Sequence, residues 1–140
     1  MEFTLYADGG SRGNPGPSGA GAVVFDTAGK RVIEVADYLG IATNNVAEYE
    51  AVLRGLIKLH QEYPEGFFNQ MPLLIRMDSK LVIEQLKGAY KVKHPNLIPR
   101  YLEVKNVLAR NFGTVRLEHV PREKNKDADE LANRAMDRKS

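Results

Sequence analysis

Alternation of apolar and polar side chains marks the first element of the chain. In EFTLYAD, Phe3, Leu5 and Ala7 alternate with Thr4, Tyr6 and Asp8, the repeat expected of a strand with one face buried. GGSRGNPGPSG follows, and its density of Gly and Pro predicts a loop or turn. AGAVVFD and then TAGKRVIEVADYL read as a hairpin turning near Thr27 to Gly29. These three strands predict an antiparallel meander. The period then changes. From Thr43 or Asn44 as cap, Val52, Leu56 and Leu59 form one helical stripe, with Leu53 and Ile57 beside it, ending near Pro64 and Gly66.

The second half continues the pattern. PLLIRMD predicts a fourth strand, and SKLVIEQLKG a short helix opened by Asp78 or Ser79 and closed by Gly88. AYKVKHPN is a basic turn, and NLIPRYLEVKNVLARNFG a helix that tolerates Pro99 in its first turn. TVRLEHV predicts a fifth strand, PREKNK a basic loop and DADELANRAMD a last helix. The order βββαβααβα predicts an α/β fold, a mixed sheet with helices packed on it. If strands one and four are parallel neighbours, Asp8 and Asp78 stand side by side at their carboxyl ends, the edge where open α/β sheets build their sites.

Composition narrows the class. The 140 residues, 43% hydrophobic and 27% charged, predict one domain spanning 1–140 with a real core. Cysteine is absent, which excludes disulfides and thiolate metal sites and predicts a reducing, cytoplasmic setting. The start MEFTLYADGG lacks the basic and apolar runs of a signal peptide, and no stretch reaches the roughly 20 apolar residues of a membrane span. Charge is unevenly placed. Residues 1–75 hold 5 Lys and Arg against 9 Asp and Glu, a net of −4, and residues 76–140 hold 15 against 9, a net of +6. A polyanion partner and a solvated, salt-bridged surface both account for that basic half.

Four carboxylates carry the candidate chemistry: Asp8, Glu48, Asp78 and Asp129. Glu48 precedes Val52 by four residues and Leu56 by eight, so it lies on the stripe that faces the core. Each has a plain alternative. Glu48 could serve the helix dipole, Asp8 a turn before its glycines, Asp78 a helix cap. Asp129, like Asp127 and Glu130, could serve the dipole of the last helix. Gathered at one edge, four acids would repel one another unless cations were present, which points to a divalent-metal site. Oxygen ligands without Cys suit Mg²⁺ or Mn²⁺ rather than zinc. The glycine-rich segment has neither a GKS/GKT ending nor a GxGxxG before a helix, so it resembles a phosphate cradle only superficially. Its backbone N–H groups could still approach a sugar-phosphate backbone.

The segments YADGGSRGNPGPSGAGAVV, TNNVAEYEAVLRGL, MDSKLVIEQLKG and ADELANRA together resemble type 1 ribonuclease H. The resemblance runs through nearly the whole chain. It implies a ribonuclease H-like fold, with three antiparallel strands, two more parallel to the first, and flanking helices. It implies metal-dependent cutting of the RNA strand of RNA–DNA hybrids, leaving 3′-hydroxyl and 5′-phosphate ends, with two Mg²⁺ or Mn²⁺ ions held by Asp8, Glu48, Asp78 and Asp129. Asp129 is preferred to Asp127 because it directly precedes Glu130-Leu131-Ala132. On the same ground Asp8 would bridge both ions, Asp129 would serve the attacking-water side, and Glu48 and Asp78 the leaving-group side. Glu48 would also meet a ribose 2′-hydroxyl. The implied substrate contacts are Gly9, Gly10, Ser11, Arg12 and Asn14, then Thr43, Asn44 and Asn45, then Ser79 and Lys80. Among these, Asn14, Asn44 and Asn45 would lie in the minor groove, with Thr43 on a DNA phosphate and Lys80 on the RNA side.

Two departures from the family are visible. The basic, tryptophan-containing protrusion of many bacterial members is replaced by the short GAYKVKHPNLIP, and the chain has no Trp. Lys87, Lys91 and Lys93 there either bind phosphate or are solvated. The histidine usually found before the last helix is missing from PREKNKDAD. His119 lies earlier and reads as structural, leaving Arg122, Glu123 or Lys124 as substitutes. The compact form resembles archaeal-like members, some of which also cut RNA–RNA duplexes, and implies a monomer. Two other functions fit the sequence less well: a non-catalytic nucleic-acid-binding module, and a DNA-cutting resolvase or transposase of the same fold.

Overall fold

The computed structural model describes residues 1–139. Its elements are β1 (Phe3–Ser11), β2 (Gly16–Phe25), β3 (Arg31–Ala42), α1 (Asn44–Glu62), α2 (Phe67–Gln70), β4 (Leu73–Met77), α3 (Lys80–Lys87), α4 (Ile98–Asn111), β5 (Val115–His119) and α5 (Lys126–Arg138). A 3-10 turn, Arg122–Lys124, precedes α5. The sheet order is β3-β2-β1-β4-β5. β1, β2 and β3 pair antiparallel, while β4 and β5 run parallel to β1. This is the predicted five-stranded mixed sheet of the ribonuclease H-like fold.

The alternation in β1 works as expected. Phe3, Leu5 and Ala7 are buried, and their neighbours are half-exposed. α1 lies on β1 and β2 with α4 packed across it, while α5 covers β2, β3 and part of β1. Between the layers Tyr49, Val52, Leu56, Leu59, Ile75, Met77, Ile83 and Leu86 are removed from solvent. Each large aliphatic side chain so buried contributes about 1.5–3 kcal/mol. At the end of β1 far from Asp8, Phe3 meets Tyr63, Phe67 and Phe68 edge-on at 5.3, 5.7 and 5.3 Å. Ile57 does not join this core. It is 38% exposed, because the helix turns it away from the sheet while Leu53 stays in.

The glycine-rich segment departs most from expectation. Only Arg12–Pro15 connects the strands; Gly9, Gly10 and Ser11 extend β1, and Gly16 opens β2. The glycines are there because helices press on the strands. A Cβ on Gly9 would fall into the carbonyl of Ala47 in α1, and Cβ atoms on Gly19 and Gly21 would fall into the carbonyls of Ala132 and Ala128 in α5. The absent side chains therefore let two helices approach the sheet beside the carboxylates. The basic PREKNK loop also gains order, as the 3-10 turn followed by Asn125 and the start of α5. α2, a single turn after Gly66 at φ 83°, was not foreseen.

Two helices, α1 and α3, start on side-chain caps. Thr43 caps α1, its hydroxyl accepting from the Val46 N–H at 3.2 Å; Ser79 caps α3 through the Val82 N–H at 3.3 Å. Gly88 closes α3 in the left-handed region at φ 87°. The hairpin turns at Asp26, whose carboxylate accepts from Ala28 and Lys30 N–H, both at 2.9 Å. Among the described residues no helix is long and apolar enough to cross a membrane.

Candidate active site

Parallel pairing of β1 with β4 matches Ala7 to Met77, so the next residues, Asp8 and Asp78, stand together at one sheet edge. Glu48 arrives from α1 and Asp129 from α5. All four line one open pocket of about 580 Å³, together with Gly9, Gly10, Ser11, Arg12, Asn44 and Asn45 and with Ser79 and Lys80.

The plain alternatives fare unequally in this geometry. Asp8 is inside a strand that runs on to Ser11, so it serves no turn. Ser79, not Asp78, caps α3. The first turn of α1 holds no acid, so Glu48 is not there for the dipole. Asp129 does lie in the first turn of α5 with Asp127. The two then diverge: Asp127 pairs with Arg31 at 3.3 Å, and Asp129 lines the pocket.

Burial and repulsion act strongly on two of these acids. Asp8 is pushed up to about 9, first by burial, then by the charges of Asp78, Asp129 and Glu48 and a hydrogen bond to Asp129. Glu48 is pushed up to about 7 by burial, opposed by the Ser79 hydroxyl and assisted by Asp78. Protein cations do little to relieve the cluster. Arg122, an exposed side chain, comes only within 3.9 Å of Asp129, and Arg12 is held by Asp137 at 2.6 Å.

The other implied contacts divide between this pocket and its neighbour. Asn14 and Thr43 line the second pocket, with Lys91, Lys93 and His94; it shares Asn45 and Leu81 with the first. Asn14 Oδ1 accepts from the Asn44 N–H at 3.1 Å, and Asn44 Oδ1 accepts from the Ser11 N–H at 2.8 Å. Both bonds use amide oxygens, so each nitrogen stays available as a donor. They also stitch the β1–β2 connection to the start of α1. Lys87 lines neither pocket and lies 3.9 Å from Glu84.

Comparison with known proteins adds an independent line. The sequence profile of the family described as "Reverse transcriptase-like" matches residues 6–135. The bifunctional protein Rv2228c of Mycobacterium tuberculosis is 45% identical over 98% of this chain, which spans 36% of that relative's length. Ribonuclease HI of Halobacterium salinarum is 40% identical over 94% of this chain and 63% of its own. LC11-RNase H1, solved in complex with RNA/DNA hybrid, superimposes with a TM-score of 0.93 at 41% identity, covering 99% of both chains. The chain belongs to the type 1 ribonuclease H family.

Within this ribonuclease H domain, the donor set can be tested against the divalent metal the family implies. Among the described residues no three acidic or imidazole groups close into a ready-made cage. Mg²⁺ does not require one, since it takes one or two carboxylates with water and substrate phosphate. Hard oxygen donors, an open pocket and two acids whose ionised forms are disfavoured by burial and by neighbouring negative charge fit such an ion. Of the candidate substitutes for the family's loop histidine, Arg122 lines the pocket; Glu123, Lys124 and His119 do not. Sequence reasoning missed Asn133, whose Nδ2 donates to Asp129 Oδ1 at 3.2 Å and whose Oδ1 accepts from Arg12 at 3.4 Å. Its place four residues after Asp129 on one helix was the available signal.

Proposed function

We propose that this chain is a divalent-metal-dependent endoribonuclease that hydrolyses the RNA strand of RNA–DNA hybrids. The observation that carries this reading is the meeting of Asp8, Glu48, Asp78 and Asp129 in one pocket, with Asp8 under the influence of the other three. A pure binder of nucleic acid gains nothing from four acids at the point where phosphate must approach. Bound Mg²⁺ or Mn²⁺, two ions with substrate, would activate water and neutralise charge on the phosphate.

The chain's own residues supply the rest. Asp8, Glu48, Asp78 and Asp129 would hold the ions, and the strand edge, α1 and the start of α5 fix their spacing. The amide nitrogens of Asn14 and Asn44, with Asn45, donate to sugars and base edges without reading sequence. Lys80 and Arg122 on the pocket, and Lys91 and Lys93 beside it, offer positive charge to the phosphate backbones. Hydrolysis breaks the bond from phosphorus to the ribose O3′, and water supplies the new oxygen. The products are a 3′-hydroxyl and a 5′-phosphate. The hybrid bound to LC11-RNase H1 supports the choice of substrate.

A panel of labelled RNA–DNA, RNA–RNA and DNA–DNA duplexes, each with Mg²⁺, Mn²⁺ or EDTA, tests this. Metal-dependent cleavage of the hybrid with DNA–DNA untouched is expected. Cleavage of DNA–DNA would point to a resolvase-like nuclease, and salt-sensitive binding without turnover to a binding module. The RNA–RNA lane decides whether double-stranded RNA is a second substrate.

A further inference from the structure

Asn125 stands where α5 begins and is 1% exposed. Its Nδ2 donates to the carbonyl of Ala7 at 3.0 Å and to Asp78 Oδ1 at 3.2 Å. The Ala7 carbonyl can only accept, so the amide faces it in one sense alone. The backbone carbonyl of Asn125 accepts from the Asp129 N–H at 3.1 Å, and its own N–H donates to the Arg122 carbonyl at 2.9 Å. One buried residue thus touches the strand just before Asp8, the carboxylate of Asp78 and the backbone of Asp129.

The same side chain gives up the role its position usually has. An Asn before a helix caps it by accepting N–H bonds through Oδ1. Asn125 makes no side-chain cap bond, and its buried Oδ1 has no partner among the described residues. An orphaned buried oxygen weakens a fold and calls for a reason other than stability. Here the amide is turned so that its nitrogen reaches Asp78.

We propose that Asn125 is a positioning residue that fixes the orientation of the Asp78 carboxylate and locks α5 to β1, so that Asp8, Asp78 and Asp129 bind divalent metal as a unit. The proposal rests on the metal-site reading given above. Partners that orient ligating carboxylates typically change metal affinity by roughly 10–100-fold when removed.

Mn²⁺ binding to the metal-free chain, followed by the loss of the free-ion EPR signal, tests this on wild type, Asn125→Ala and Asn125→Leu. Leucine fills the volume and removes the donor and the orphaned oxygen together. Thermal melts establish that each variant is folded at the assay temperature. A folded variant should bind Mn²⁺ roughly 10–100-fold more weakly, even where Asn125→Leu melts at or above the wild type. A purely structural role would move the melting temperature and leave affinity intact, and wild-type affinity in a folded variant would overturn the proposal. If neither variant folds, the wild-type Asn125 side-chain NH₂ resonances decide. They should shift on adding Mg²⁺, saturating with the thermal stabilisation, and unmoved resonances would overturn it. Failure of wild type to bind Mn²⁺ would instead overturn the metal-site reading itself.

Discussion

Asp8→Asn keeps the shape of the side chain and removes the titratable carboxyl at the centre of the cluster. In the folded, metal-free chain burial and three neighbouring acids push Asp8 from 3.8 up to about 9. At neutral pH the unfolded chain ionises this group and the folded chain does not, so folding takes up a proton. The stability that the group permits is whole below its unfolded value and is lost as pH rises toward its folded one. At pH 7 the gap from the unfolded value spans about three pH units, each about 1.4 kcal/mol. Water reaching the open pocket reduces this, leaving a cost on the order of 2–4 kcal/mol. For a domain of this size that corresponds to a melting-temperature rise on the order of 5–15 °C in Asp8→Asn. Melts in EDTA should show the variant more stable than wild type at pH 8, with the gap shrinking to less than half at pH 5. Added Mg²⁺ should raise wild type more than the variant. A variant no more stable than wild type at pH 8, or a gap indifferent to pH, would refute the reasoning.

Glu48→Gln leaves the α1 stripe intact but removes a carboxylate that the proposed function assigns to the metal, so hybrid cleavage should fall at least about 100-fold while the circular dichroism spectrum stays unchanged. Gly9→Ala places a Cβ against the Ala47 carbonyl. It should cost about 1–3 kcal/mol in urea unfolding, where a change within a few tenths would argue against close packing of α1. Thr43→Val removes the hydroxyl that caps α1. About 1 kcal/mol should be lost in the same assay.

The sequence announced elements whose signal is local. Alternation in EFTLYAD, the Val52-Leu56-Leu59 stripe and the Ser79 and Gly88 boundaries needed only neighbours in the chain to be recognised. Glu48 was visible because an acid sat on that stripe. The glycines of β1 and β2 misled because their cause is distant: α1 and α5 press on those strands from far along the chain, and a sequence window sees only turn-forming residues. Ile57 shows the converse, an apolar residue beside the stripe that the helix turns outward. α2 escaped because one turn carries no period. Asp8, Asp78 and Asp129 each had a local alternative, and it took the run of β1 on to Ser11 and the Ser79 cap to remove it for the first two. Asn125 was hidden in a basic loop, since its partners at Ala7 and Asp78 are remote in sequence.

The most direct measurement is cleavage of an end-labelled RNA annealed to DNA, by wild type and Asp8→Asn, in Mg²⁺ and in EDTA. Wild type in Mg²⁺ should cut the RNA at many positions, and the other three reactions should leave it whole. Cleavage by Asp8→Asn at the wild-type rate, or by wild type in EDTA, would contradict a metal site built on these carboxylates.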